Sequence, residues 1–147
     1  ERANLTPMQL LGKARQWKLK HDIQLLVIDY LGLMRAKGDN KTDEVSKCSA
    51  AVKQAAKELD IPVIVLCQLN RKSESEQRPP MLSDLRDSGS IEQDADLVGL
   101  MHRLDTDGDE TVVRLNVAKH RNGPVGFCDL EFLKEITKYR EYLPEYE

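Results

Sequence analysis

Apolar runs and helical stripes alternate along the first half of the chain, separated by charged or turn-forming residues. Thr6-Pro7-Met8-Gln9 has the form of a capping box with proline at the first helical position. It predicts a helix from Pro7 to about Lys20, with Leu10, Ala14 and Trp17 on one face. Gln24 to Met34 reads as an apolar strand buried on both sides, as in a parallel sheet. Arg35 to Lys41 is polar and contains Gly38, which predicts a loop. Thr42 is the expected cap of a second helix, Asp43 to Leu59, with acids in its first turn and a stripe of Val45, Cys48, Val52, Ala55 and Leu59. Ile61 to Cys67 is a second buried strand, and Pro62 suits its first position. Strand, helix, strand is a βαβ unit, so the expected class is α/β.

Elements in the second half are shorter. Asn70 to Pro80 carries Arg71, Lys72, Arg78 and two prolines around Ser73-Glu74-Ser75-Glu76, which predicts a mobile, charged loop. Ser83 to Ala95 predicts short helical turns broken at Ser88-Gly89-Ser90. Strands are expected over Asp96 to His102, Thr111 to Ala118 and Val125 to Phe132, with turns at Asp105 to Glu110 and Arg121 to Pro124. Lys134 to Glu147 fits either a closing strand near Ile136 to Arg140 or a short helix. No repeat, low-complexity tract or domain boundary is visible.

Four places along this pattern could carry chemistry. Asp29 ends a central strand, where α/β sheets bind ligands and where an acid holds a nucleotide's metal ion. The same pattern also suits an Asp that only ends a strand and caps the next turn. Gln68 follows the next parallel strand, so it should lie beside Asp29 and could orient a water or sense a γ-phosphate without adding charge; alone, it equally suits a loop cap. Alternation along Val117-Ala118-Lys119-His120-Arg121 puts Lys119 and Arg121 on one side of a strand end, with no nearby acid. That arrangement suits a phosphate arriving from outside, as for an arginine finger, or a solvated basic turn. Finally, Ser88-Gly89-Ser90 offers backbone N–H groups at a helix start and Arg86 stands just before it. Five acids within Ser83 to Asp96, and the option of Arg86 pairing with Asp84 or Asp87, weigh against phosphate there.

Composition narrows the classes. A net charge of −3 over 147 residues gives no global attraction to nucleic acid, so such contacts must come from local groups. Cys48, Cys67 and Cys128 are odd in number and widely spaced, and two sit in apolar runs, which predicts reduced, buried thiols and a cytoplasmic setting. No run reaches membrane-spanning length. His21, His102 and His120 stand far apart, without ligand spacing for a transition metal, and Trp17 and the tyrosines do not interleave with basic residues as a base-stacking platform would. No G-x-x-x-x-G-K-[ST] loop is present. Around the Gly12-Lys13 pair, Pro7 stands five residues before Gly12 and Ala14 follows the lysine. The chain also opens on Glu1 rather than Met, as an excised piece would.

Taken in order, five segments closely resemble the RecA-like motor domain of DnaB-type replicative helicases. They are Leu26-Val27-Ile28-Asp29-Tyr30-Leu31, Ala56 to Val63, Gln68-Leu69-Asn70-Arg71, Ser83 to Asp96 and Lys119-His120-Arg121-Asn122-Gly123-Pro124-Val125-Gly126. The resemblance covers roughly residues 5 to 132, and the last two segments are its most specific parts. It implies a RecA-like (P-loop ATPase) sheet flanked by helices. Residues 1–147 would be the C-terminal part of one such domain, without its Walker A half. The working enzyme would be a homohexamer moving on single-stranded DNA with ATP and Mg²⁺, meeting primase and a helicase loader. By the same resemblance, Asp29 is the Walker B acid acting on Mg²⁺ through water, and Gln68 links nucleotide state to the DNA loops. Lys119 and Arg121 reach the ATP of the neighbouring subunit, and Arg103 lies near the nucleotide. Arg86, Asp87 and Gly89 follow the DNA phosphates, with backbone N–H groups letting an acidic segment grip DNA.

Some positions depart from the family pattern. Gly32 and His120 stand where glutamine is usual, Asp87 where glutamate is usual, and the last fifteen residues lack the usual glycine-tryptophan hairpin. The phosphate loop and the upstream catalytic glutamate would precede Glu1, so these 147 residues alone are expected not to hydrolyse ATP. A competing class is a naturally truncated, non-enzymatic RecA-like module that regulates a helicase ring. An in-frame phosphate loop upstream in the gene supports the enzyme; a start codon close to Glu1 supports the module. A recombinase or clock-type relative shares Asp29 but not the Lys-x-Arg-Asn-Gly-Pro turn.

Overall fold

The computed structural model describes residues 4–70, 76, 78–85, 89–104 and 111–143. Where the sequence shows no boundary, the contacts group the chain into two compact units: Glu1–Asn70 with Leu85–Ala95, and Arg71–Asp84 with Asp96–Glu147.

The first unit begins with α1 (Pro7–His21), and its capping box forms as expected. Gln9 N donates to Thr6 Oγ1 (3.3 Å) and Thr6 N to Gln9 Oε1 (3.0 Å). Leu10 and Ala14 are buried, whereas Trp17 is partly exposed with Lys13 Nζ over its ring at 5.8 Å. The next strand, β1, is short, Leu26–Ile28, and gives way at Asp29 to a 3-10 turn over Leu31–Leu33. Then comes α2 (Lys41–Leu59), capped by Asn40 rather than Thr42: the Asn40 side chain accepts from Asp43 N at 2.9 Å, which draws Lys41 and Thr42 into the helix. The expected stripe holds, with Cys48, Val52 and Ala55 buried and Val45 and Leu59 packed against the core. β2 (Val63–Val65) pairs parallel with β1 in the register Leu26↔Val63, Val27↔Ile64, Ile28↔Val65.

Both helices contribute to the cluster that contains Leu26, together with Leu10, Ala14, Cys48, Val52 and Ile61. They therefore cover one face of the two strands. Side chains alternating to the other face are exposed, Val27 at 54% and Ile64 at 51%, so burial on both sides is not found among the described residues. A last helix of this unit, α3 (Gly89–Asp94), is held on α2. Ser49 Oγ donates to Asp94 Oδ2 (2.6 Å) and Ser46 Oγ to Ser90 Oγ (3.0 Å), while Ile91 packs against the core.

The second unit is an antiparallel sheet in chain order: β3 (Leu97–Arg103), β4 (Val112–His120), β5 (Gly126–Leu133) and β6 (Lys138–Glu141). The strand alternative for the final segment is the correct one, two residues later than expected and preceded by a 3-10 turn at Lys134–Ile136. The turn expected at Asp105 to Glu110 lies outside the described residues. Leu100, Val112 and Val113 are buried. Across one rung stand His102, Arg114 and Asp129. Arg114 holds Asp129 in a fork at 2.6 and 2.7 Å and lies over the Phe127 ring at 3.9 Å. Hydrogen bonding from Arg114 lowers the Asp129 pKa, and burial beside that guanidinium lowers the pKa of His102.

Ahead of this sheet, Arg78 organises the described part of the segment expected to be mobile. It forks onto Asp84 (2.6 and 2.9 Å), bonds Glu76 Oε2 (2.6 Å) and donates to Pro79 O (3.1 Å). Asp84, 1% exposed, also accepts from Met81 N at 2.9 Å. A buried carboxylate persists only with such partners. Arg71 to Ser75 lie outside the described residues. The three cysteines are free: Cys48 is buried, Cys67 half-buried and Cys128 exposed. Burial pushes the Cys48 and Cys67 thiols up, away from the reactive thiolate.

Two consequences are measurable. Ser49→Ala removes the donor that holds Asp94 and should cost about 1–2 kcal/mol in denaturant unfolding; an unchanged midpoint would count against the anchor. His102 protonates less readily when folded than when unfolded, so its contribution is complete above its ordinary pKa of 6.5 and is lost as pH falls below it. Stability should therefore decline between about pH 6.5 and 5, and His102→Leu should flatten that decline.

Candidate functional site

The parallel register sets the geometry of the edge where β1 and β2 end. Asp29 is the residue after β1 and Gln68 the third residue after β2, both at the carboxyl ends of neighbouring strands and neither of them buried. Leu66 N donates to Ile28 O (2.9 Å) and Leu31 N to Leu66 O (2.9 Å), so the two chain segments stay bonded past the strands themselves. The Asp29–Tyr30 peptide is cis. The Tyr30 ring lies over Gly32: a Cβ at 32 would stand 2.6 Å from Tyr30 Cε2. Glycine at this position gives that ring its seat.

Leu69, next to Gln68, forms an antiparallel β-bridge with Leu85. Leu85 immediately precedes Arg86, and α3 begins at Gly89, where a Cβ would meet nothing within 4 Å. Arg86 and Asp87 lie outside the described residues. Leu85 is thus tied to the residue next to Gln68, and α3 to Ser46 and Ser49 of α2. Neither tie is legible from motif spacing, because both depend on how α2 and the β2 extension pack.

In the second unit Lys119 lies inside β4, which runs two residues further than expected, and Arg121 follows in the turn. Val98 faces Lys119 and Gly99 faces Val117, so a bulge at Ala118 interrupts simple alternation just before the basic pair. Nor is Arg121 remote from acids. Its Nη1 donates to Asp96 Oδ1 at 2.7 Å and its backbone N to Asp96 O at 2.8 Å. Within the turn, His120 Nδ1 lies 3.1 Å from Pro124 O, and a Cβ on Gly123 would come within 2.3 Å of the imidazole, so the ring in this position leaves no room for a side chain there. Arg103 ends β3, exposed and opposite Val113.

Among the described residues no cluster of three His, Cys, Asp or Glu could cage a metal ion. A single accessible carboxylate such as Asp29 fits Mg²⁺, which keeps water and phosphate oxygens as its other ligands. No helix of the described residues is long and apolar enough to cross a membrane.

The family model for the DnaB-like helicase C terminal domain matches residues 1–141. Replicative DNA helicase DnaC of Bacillus subtilis (strain 168) is 43% identical over 139 residues, covering 89% of this chain and 31% of the relative. Replicative DNA helicase DnaB of Mycobacterium leprae is 48% identical over 128 residues, covering 82% and 21%. The chain thus spans a third or less of these relatives' length. Among solved structures, a DnaB-like replicative helicase studied with its primase interactions superposes at TM-score 0.83 with 38% identity, covering 95% of this chain and 35% of that one. A second solved structure, of an isolated ATPase domain, superposes at 0.85 with 37% identity, covering 97% and 54%. The expected RecA-like fold therefore holds, and the chain belongs to the DnaB-like helicase C-terminal domain family.

Proposed function

We propose that this chain is the C-terminal part of one RecA-like ATPase domain of a replicative helicase. As a homohexamer, that helicase couples Mg-ATP hydrolysis to movement along single-stranded DNA and to duplex unwinding. The observation that carries this reading is the connection inside the first unit: Asp29 and Gln68 share one sheet edge, and Leu69 bridges Leu85 at the start of the Arg86–Gly89 segment.

Each residue has a role that its chemistry suits. The Asp29 carboxylate holds Mg²⁺, largely through water. The bound ion screens phosphate charge and favours in-line attack by water. The Gln68 amide, a donor and an acceptor without net charge, orients that water and registers whether a γ-phosphate is present. Lys119 and Arg121 supply positive charge to ATP held by the neighbouring subunit, and Arg103 contacts nucleotide. Arg86, Asp87 and Gly89 track DNA phosphates, so binding is independent of base sequence and weakens with salt. The 147 residues alone do not turn over ATP, since phosphate binding without a glycine-rich loop lacks most of its backbone donors. Primase, a loader and the cytoplasm complete the proposed setting.

Gln68→Ala in the intact helicase tests the reading. ATP affinity should change little, while DNA-stimulated turnover and unwinding fall by about 10²-fold, the cost of misplacing an oriented reactant. Unwinding at the wild-type rate would contradict the role.

A further inference from the structure

The antiparallel pairing of β3 with β4 ends at the rung Leu97↔His120, so the residues just outside it, Asp96 and Arg121, face each other at the mouth of the ladder. Arg121 N continues the ladder by one bond onto Asp96 O at 2.8 Å, and Arg121 Nη1 reaches Asp96 Oδ1 at 2.7 Å. One residue therefore holds both the backbone and the head of this arginine. On the other side the turn is closed by His120, seated on Gly123 and facing Pro124 O.

The pair is exposed, with side chains 48% and 59% accessible for Arg121 and Asp96. Ion pairs of that exposure add little to stability. Their geometric effect is larger, because a long arginine free to sample many rotamers must be ordered before it can meet a phosphate. We propose that Asp96 is the positioning residue for Arg121, aiming the guanidinium out of the β3–β4 edge towards the nucleotide of the neighbouring subunit. This rests on the role given to Arg121 above. The planar guanidinium carries five N–H donors in a fixed fork, so a carboxylate on one nitrogen orients the others.

The test uses the intact helicase ring, with ring assembly followed by light scattering and ATP turnover measured with single-stranded DNA. Asp96→Ala should lower kcat by about 2- to 10-fold, the cost of ordering one long side chain anew, with the KM for ATP nearly unchanged. Asp96→Asn, whose amide oxygen still accepts a hydrogen bond, should recover part of the loss. In an Arg121→Ala background, Asp96→Ala should add no further loss, because it acts through that arginine. Turnover that is unchanged or raised in Asp96→Ala overturns the proposal, as does a full further loss in the Arg121→Ala background. If Arg121→Ala is itself silent, the assignment of Arg121 fails and the proposal with it; a damaging Arg121→Ala beside a silent Asp96→Ala removes the proposal alone.

Discussion

Parallel pairing of β1 with β2 is the constraint on which the rest of the first unit depends. Two parallel strands need a crossover, and α2 supplies it while burying Cys48, Val52 and Ala55 on the side where Leu26 enters the core. Once that register is set, Asp29 and Gln68 stand on the same edge. Bonds from Leu66 and Leu31 carry the pairing beyond the strands to where those side chains emerge. A shift by one residue would turn Leu26 out of the core and exchange it for Val27, so the packing and the placing of Asp29 and Gln68 share one register.

Polar ties set direction as well as stability. Arg78 gathers Glu76, Pro79 O and the buried Asp84 into one bonded cluster. Losing Arg78 would strip the two-pronged bond from the buried Asp84 carboxylate, so the cluster holds one well-defined arrangement. Ser49 on Asp94 does the same for α3, and Asp96 for Arg121. In each case a polar side chain fixes a neighbouring group in one direction.

Much of this was legible in the sequence, because the signals were local. The capping box at Thr6, the stripe on α2, Pro62 ahead of β2 and the acid ending an apolar run all depend on residues a few positions apart. Family resemblance added the order of the motifs. What escaped depended on which partner a side chain or strand finally met. Asn40 displaced Thr42 as the cap because its side chain reaches Asp43 N. The bulge at Ala118 comes from the register of β4 on β3, and the Asp96 carboxylate beside Arg121 lies 25 residues away in sequence. Strand length was overestimated at β1 because apolar residues past Asp29 enter a 3-10 turn, with Leu31 buried there instead of in a ladder.

The bridge between Leu69 and Leu85 ties the residues around Gln68 to Leu85, so both should respond together to nucleotide. Amide hydrogen exchange in the intact ring, compared with and without a non-hydrolysable ATP analogue and in the absence of DNA, tests it most directly. Protection should change together over residues 68–70 and at Leu85. A change over 68–70 with none at Leu85 would contradict it.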